Sequence, residues 1–272
     1  MKYFMFLVTL ILSCNIFAKS PSSLELKFIL DEDYLISYAI YACSNDRLIN
    51  RFHRDLNAFK RTVCDQLTPD DWDALDDLCV RFYNKSPLTD NLHLVELLSR
   101  IKQLSEYQTI RKQTQEYLEL CKKRWEESFP ACLSLMENLT GITFDATFTV
   151  YITHPGICNG SSMSPQMIFW GNKEWWPHYT VVYLWHEIFH DYFDLSGTSH
   201  AIIQLLTDNE LRQHLSGEPY PPFEGHPGLI PQMKAYEPDW NEYLKKKEKN
   251  IFEFIELMKK KYPELEEHPE FH

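Results

Sequence analysis

The sequence is poor in positive charge and contains no repeat or low-complexity tract. Its 272 residues include 27 lysines and arginines against 39 aspartates and glutamates, so the formal net charge at pH 7 is −12. Because nucleic acids and anionic membranes attract basic surfaces, this balance predicts that neither is a partner of the protein.

Long apolar runs are confined to the N-terminus, and no later stretch could span a membrane. Residues 1–18 read MKYFMFLVTLILSCNIFA, with Lys2 before the apolar run and Ala18 at its end. This pattern is typical of a cleaved secretory signal peptide, so we expect a secreted or periplasmic protein that leaves the membrane after cleavage. The alternative is a lipoprotein anchor at Cys14, which the bulky Leu12 two places earlier disfavours.

No two cysteines have the CxxC spacing, which disfavours a structural zinc site made of cysteines. An even number of cysteines remains after the signal peptide, and in an exported chain this predicts disulfide bonds. Free buried thiols are the alternative. The six residues are Cys43, Cys64, Cys79, Cys121, Cys132 and Cys158.

The apolar pattern changes after residue 140. Residues 19–140 have apolar side chains at spacings of three and four, which predicts a helical N-terminal region. Residues 144–153 alternate and are rich in β-branched and aromatic residues, which predicts a strand, and 166–170 are predicted to form a second short strand. We therefore expect an α+β protein whose second domain is residues 141–272.

The candidate chemistry centres on residues 181–194, which read VVYLWHEIFHDYFD. On a helix His186 and His190 lie one turn apart on one face, so both can bind one Zn²⁺ at about 2.0–2.1 Å. Glu187 is close enough to act as general base on a metal-activated water. A glutamate between two histidines on an apolar helix is costly to bury without a cation. We predict one Zn²⁺ per chain.

A second helix is predicted after this motif, from Thr198 or Ser199 to Gly217. Glu210 falls on its apolar stripe, where a carboxylate is out of place unless it faces a cation. Glu210 is therefore predicted as the third ligand, which gives a His₂Glu site with an open fourth position. The competing ligands are Asp191, Asp194 and Asp208.

The sequence resembles the gluzincin metallopeptidases, the thermolysin-like group, in the motif HEIFH and in the pair Asn209-Glu210. Nineteen residues separate HEIFH from Glu210. The resemblance covers about residues 181–215 and implies a minimal zincin-like domain, with a small sheet, an HExxH helix and a Glu-bearing helix. It implies zinc-dependent cleavage of peptide bonds with Glu187 as general base. One departure is His214, which stands where the thermolysin pattern has an acidic residue that orients the first histidine; Asp191, Asp194 or Asp208 could take that role.

Two further expectations follow from the resemblance. Gluzincins have an edge strand before the active helix, with which extended peptides pair through backbone groups, and 167–170 is the candidate, with a plain core strand as the alternative. In the proline-rich loop after Gly217, His226 or Tyr220 could stabilise the oxyanion, unless His226 is a solvated loop residue. His178 and Tyr192 are further candidates for this role.

The expected protein is therefore an exported zinc metallopeptidase that acts on peptide or protein substrates. Two other classes stay open: a zincin-fold binding module without turnover, and a zinc hydrolase of another amide such as a cell-wall crosslink.

Overall fold

The fold is taken from a computed structural model that describes residues 22–41, 54–83, 91–163, 165–217 and 225–265. Among the helices in these ranges, none has both the length and the apolar character needed to cross a membrane. The predictions that fall outside the described residues concern the signal peptide at 1–18, Cys14, Cys43, Tyr220 and the side chain of Cys79.

The N-terminal part is mainly helical, as the spacing of its apolar residues predicts. Its helices are α1 (Glu32–Tyr41), α2 (Arg54–Cys64), α3 (Pro69–Tyr83), α4 (Leu92–Lys102) and α5 (Ser105–Thr140). The prediction is wrong for strand β1 (Glu25–Ile29), whose residues alternate between exposed and half-buried positions. Helix α5 ends where Gly141 adopts φ 75°. A Cβ on Gly141 would lie 2.1 Å from the Lys249 carbonyl oxygen, so only glycine fits there.

The sheet has four strands in the order β1-β2-β4-β3. The other strands are β2 (Thr147–Ile152), β3 (Asn159–Met163) and β4 (Met167–Gly171). β1, β2 and β4 run parallel, so Val150 lies between Phe28 and Ile168, whereas β3 is antiparallel to β4. The predicted strands at 144–153 and 166–170 are thus confirmed as β2 and β4, and the α+β class is confirmed with them.

The edge strand differs from the prediction. Residues 167–170 belong to β4, which is buried throughout and has a strand on each side. The edge strand next to β4 is β3, whose sequence Asn-Gly-Ser-Ser-Met has neither alternation nor β-branched residues. Its pairing depends on backbone hydrogen bonds with β4, which a side-chain pattern cannot reveal.

The described residues of the second half of the chain add five α-helices: α6 (Tyr179–Tyr192), α7 (Gly197–Gln204), α8 (Arg212–Ser216), α9 (Ile230–Leu244) and α10 (Ile251–Lys261). Between α7 and α8, the residues Leu205–Leu211 continue the helix with π-type hydrogen bonding. One apolar core joins the sheet to α6, α7, α9, α10 and the C-terminal part of α5, and a second core lies among α1–α4 and the start of α5. Helix α5 therefore connects the two cores.

The cysteines correct another expectation. Cys121, Cys132 and Cys158 are free thiols, so the predicted disulfide bonds are absent at these three positions. Burial raises the pKa of the Cys121 and Cys132 thiols to about 12 each. Both residues are fully buried within the apolar core, where they pack as small apolar side chains.

Candidate metal centre

Helix α6 brings the two histidines of the HExxH motif together, as predicted. All residues from Leu184 to Phe189 are buried, which fixes the helix against the core. The side chains of His186 and His190 lie on the same side of this helix. The Nε2 atoms of His186 and His190 are 3.1 Å apart. The one-turn spacing of the motif therefore has the geometry that sequence reasoning assigned to it.

His200 on α7 completes the cluster. The turn between α6 and α7 is short because Asp194 Oδ1 accepts hydrogen bonds from Ser196 N at 3.1 Å and from Ser199 Oγ at 2.7 Å. The side chain of Ser196 caps α7 by accepting from Ser199 N at 3.2 Å. These contacts orient the first turn of α7 so that His200 Nε2 lies 3.2 Å from His186 Nε2.

The three imidazoles converge as metal ligands do. Tetrahedral Zn²⁺ with Zn–N distances of about 2.0–2.1 Å requires ligand nitrogens about 3.3–3.4 Å apart. The observed separations from His186 Nε2 are 3.1 Å to His190 and 3.2 Å to His200, and the ligand atoms of all three histidines lie within 4.8 Å of one another. A single Nε2 carries one proton or one lone pair, so hydrogen bonding alone cannot satisfy both neighbours. A bound cation would satisfy all three nitrogens.

The electrostatics of the cluster keep the imidazoles neutral. Burial, with the neighbouring histidines as a further cause, holds the pKa of His186 well below its usual range. Burial likewise lowers the pKa of His190 to about 4 and that of His200 to about 3. Since only the neutral ring binds a metal, the cluster is ready to bind a cation at neutral pH.

Glu187 projects from α6 toward the edge strand β3. Its side chain is buried, and burial raises the pKa of its carboxyl to about 8, although the backbone N–H of Ser162 lowers the pKa in part. A Cβ on Gly160 would lie 3.6 Å from Glu187 Oε1, so this carboxylate reaches the backbone of β3. Glu187 thus joins the helix that carries His186 and His190 to the edge strand β3.

The structure does not bring Glu210 to the cluster; the third residue beside His186 and His190 is His200. Glu210 Oε1 accepts a hydrogen bond from Trp240 Nε1 at 3.0 Å, which directs the carboxylate toward α9. The physical reason is the π-helical stretch Leu205–Leu211: each π turn holds more residues than an α turn, so spacings of three and four no longer follow one face. A visible signal for His200 was its place on the first turn of the predicted second helix.

Two of the three competing carboxylates have other partners, and the third lies outside the cluster. Asp191 Oδ2 accepts a hydrogen bond from Gln166 N at 2.9 Å, and Asp194 orders the start of α7. Asp208 is buried on the π-helical stretch, outside the histidine cluster.

His226 does lie beside the cluster, which is where the oxyanion prediction requires it. The centroid of its ring is 4.7 Å from that of His200 and 5.8 Å from that of His186. Burial lowers the pKa of its imidazole. Tyr192 instead packs its ring against Phe144, 5.2 Å between centroids, on the core side of α6.

An aromatic wall, defined here as Trp170, Trp176, Tyr179 and Tyr183, borders the other side of the site. The Tyr183 ring lies 5.7 Å from the His186 ring and 4.5 Å from the Tyr179 ring, and Trp176 packs on Tyr179 at 5.1 Å. Arg212 stacks over Trp176 at 4.0 Å. Trp170 is fully buried and the other three rings are half-buried, so the wall gives the cluster an apolar flank.

Comparison of this chain with known proteins finds no matching family model, no matching curated protein and no matching solved structure. The assignment of function therefore depends on the site itself.

Proposed function

We propose that this protein is a zinc-dependent peptidase with a zincin-like site, in which His186, His190 and His200 hold one Zn²⁺. The observation that carries the proposal is the convergence of the three Nε2 atoms, at 3.1 and 3.2 Å from the central one, on a buried and uncharged cluster. His200 replaces Glu210 in the ligand set inferred from the gluzincin resemblance. Three protein ligands leave a fourth position for water or substrate, as catalytic zinc sites require.

The chain's own residues supply the acid–base chemistry. When bound, Zn²⁺ acts as a Lewis acid and lowers the pKa of a water molecule toward about 7. Glu187 then takes one proton from the attacking water and delivers it to the leaving amine nitrogen, so that water and amide become acid and amine. Its buried position, which raises the pKa of the carboxyl to about 8, suits a group that must both accept and return a proton near neutral pH.

The edge strand supports a peptide as the substrate. β3 is the last strand of the described sheet on the side of Glu187, and an extended chain can pair with such an edge through backbone N–H and C=O groups alone. This role was expected of residues 167–170 and passes to Asn159–Met163. The aromatic wall beside His186 favours substrates with an apolar or aromatic side chain near the cleaved bond.

His226 is the proposed oxyanion-stabilising residue. Its ring lies beside the rings of His200 and His186, and burial keeps it neutral, so it can donate one hydrogen bond to a developing negative charge. Removal of one such donor costs about 10²–10³ in kcat in other hydrolases. We expect His226→Ala to lose activity on this scale while it keeps its zinc.

Export of the protein is part of the same proposal. It depends on the sequence of residues 1–18 and predicts that the secreted or periplasmic protein begins close to residue 19. N-terminal sequencing of the mature protein tests this prediction, and mass spectrometry would detect a lipid on Cys14.

The test of the function combines metal analysis with turnover. The purified protein should contain about one Zn²⁺ per chain, and Glu187→Gln should keep the zinc but lose about 10²–10⁴ in rate. Glu210→Gln is a matched control on the neighbouring helical stretch and should keep both properties. If the parent protein binds zinc but cleaves no unfolded protein, the binding-module alternative replaces the peptidase; activity only on cell-wall amides would favour the other hydrolase class.

A further inference from the structure

A buried polar pair lies behind His186, on the side away from the other ligands. Gln204, the last residue of α7, is fully buried, and its Nε2 lies 3.3 Å from His186 Nδ1. Its Oε1 has no hydrogen-bond partner among the described residues. Asp208, one turn further on, is 1% exposed, and neither of its carboxylate oxygens has such a partner in the same ranges.

Gln204 Oε1 and Asp208 Oδ2 both lie beside Gly225. A Cβ built on Gly225 would lie 1.7 Å from Gln204 Oε1 and 2.8 Å from Asp208 Oδ2, so both oxygens approach the same point. Gly225 has φ +95°, a conformation that favours glycine. Its backbone therefore closes tightly over the two side chains, and two acceptors meet there without a donor between them.

The orientation of the Gln204 amide also matters for His186. With Nε2 of the amide toward His186 Nδ1, the imidazole must accept at Nδ1 and carry its proton on Nε2. That proton would occupy the point where the three imidazoles meet. A histidine that binds a metal through Nε2 instead donates its Nδ1–H to an acceptor, which fixes the tautomer.

We infer that Gln204 and Asp208 form a relay that sets the tautomer of His186: the Nδ1–H donates to Gln204 Oε1, and Gln204 Nε2 donates to Asp208. The inference rests on the proposed function, in which His186 is a ligand. Rotation of the Gln204 amide by half a turn exchanges its nitrogen and oxygen in place. The rotation gives an acceptor to His186, a donor to Asp208 and a partner to the unpaired Gln204 oxygen.

The surroundings of Asp208 fit this arrangement. Burial raises the pKa of its carboxyl to about 7, and the Tyr183 hydroxyl and the Arg212 guanidinium lower the pKa in part. A hydrogen bond donated by Gln204 Nε2 would lower the pKa of Asp208 further and so stabilise its charged form. A carboxylate at the end of the relay polarises the amide and so makes His186 a stronger ligand. Gln204 and Asp208 are thus positioning residues that act through His186.

Gln204→Met in the purified full chain tests the relay, because methionine keeps the length of the side chain and removes both hydrogen bonds. We expect zinc, measured by competition with a chelator, to bind about 10- to 100-fold more weakly. In the metal-free, ¹⁵N-histidine-labelled protein, NMR should show the His186 proton on Nδ1 in the parent and shifted toward Nε2 in the variant. Asp208→Asn, which keeps an acceptor but removes its charge, should weaken zinc binding by about tenfold and shift the His186 proton part of the way toward Nε2.

Gln232→Met is the matched control. Gln232 is also fully buried, but its amide donates to the Leu265 carbonyl, and its loss should leave zinc affinity and the His186 tautomer unchanged. The relay is overturned, and the proposed function left intact, if Gln204→Met and Asp208→Asn both keep the zinc affinity and the His186 tautomer of the parent. An equal loss in Gln232→Met would also overturn it. A parent protein that binds no zinc would refute the proposed function, while the tautomer of the metal-free protein would still decide the relay.

Should Gln204→Met fail to fold, as judged by circular dichroism, Asp208→Asn decides the question by the same two measurements. A weaker zinc affinity together with a shifted tautomer supports the relay, and parent-like values overturn it.

Discussion

Separate replacement of His200 and Glu210 should abolish zinc binding in one variant and reduce stability in the other. His200 Nε2 is 3.2 Å from His186 Nε2, within the ligand cluster, whereas Glu210 Oε1 accepts from Trp240 Nε1 at 3.0 Å. His200→Ala therefore removes a ligand and leaves only His186 and His190. Glu210→Ala removes the partner of a buried indole N–H and leaves the ligand set intact.

The two magnitudes can be worked out from these contacts. Loss of a residue that merely orients a ligand costs about 10–100-fold in metal affinity, so loss of a ligand should cost more than about 100-fold, or ~2.7 kcal/mol. A buried donor left without its acceptor costs about 1–3 kcal/mol of folding free energy, and Trp240 is buried. For a chain of this size each kcal/mol lowers Tm by about 2–4 °C. Glu210→Gln keeps an acceptor oxygen and should lose less.

The assay measures zinc affinity by chelator competition and Tm by calorimetry on metal-free protein, so that bound zinc does not contribute to stability. We expect parent-like zinc affinity with a lower Tm in Glu210→Ala, and a zinc affinity reduced more than 100-fold in His200→Ala. The reasoning is refuted if Glu210→Ala loses zinc while His200→Ala keeps it, because Glu210 would then be the ligand.

Three further predictions concern thiols, protons and backbone conformation. Thiol titration of the denatured, unreduced protein should detect at least three reactive thiols, and fewer would contradict the free state of Cys121, Cys132 and Cys158. At pH 6 zinc binding should release about one proton more from the parent than from Glu187→Gln. The Glu187 carboxyl, with a pKa of about 8, is protonated at this pH until a bound dication favours its charged form. Calorimetry in buffers of different ionisation enthalpy measures the proton release, and equal release from both proteins would show that Glu187 is already ionised. Gly141→Ala should lower the free energy of unfolding, measured in urea, by more than about 2 kcal/mol, because its Cβ would lie 2.1 Å from a backbone carbonyl oxygen. Gly217→Ala, at φ +68° with no atom within 4 Å, should lower it by about 1 kcal/mol. Similar losses in the two variants would show that the contact at Gly141 relaxes.

Patterns in the sequence predicted those helices and strands whose form is set by residues close to one another along the chain. The apolar residues of 181–194 and the one-turn spacing of His186 and His190 predicted α6 and half of the cluster, because helical periodicity is set within one turn. Alternation likewise predicted β2, whose buried and exposed positions follow the pleat. β1 was missed because its partner, β2, lies far along the chain, and only this distant pairing makes Glu25–Ile29 a strand.

The direction of the Glu210 side chain, away from the histidine cluster, has a different physical cause. The stripe argument for Glu210 assumed a regular α-helix from Ser199 onward, and the π-helical stretch Leu205–Leu211 breaks that assumption before Glu210 is reached. His200 lies before the break, so its direction depends only on the turn that Asp194 and Ser196 close. No rule of periodicity in the sequence marks where a helix takes up π-type hydrogen bonds.

If His186, His190 and His200 bind zinc as proposed, their closeness in sequence has a consequence for folding. All of them lie between residues 186 and 200, on two helices joined by one short turn. Closing so short a loop costs little chain entropy, so zinc can also bind the denatured chain. Affinity for the denatured state reduces the stability that a ligand adds at equilibrium. A helical pair tied by the metal at an early stage would instead nucleate the fold, so zinc should accelerate folding more than its effect on equilibrium stability suggests.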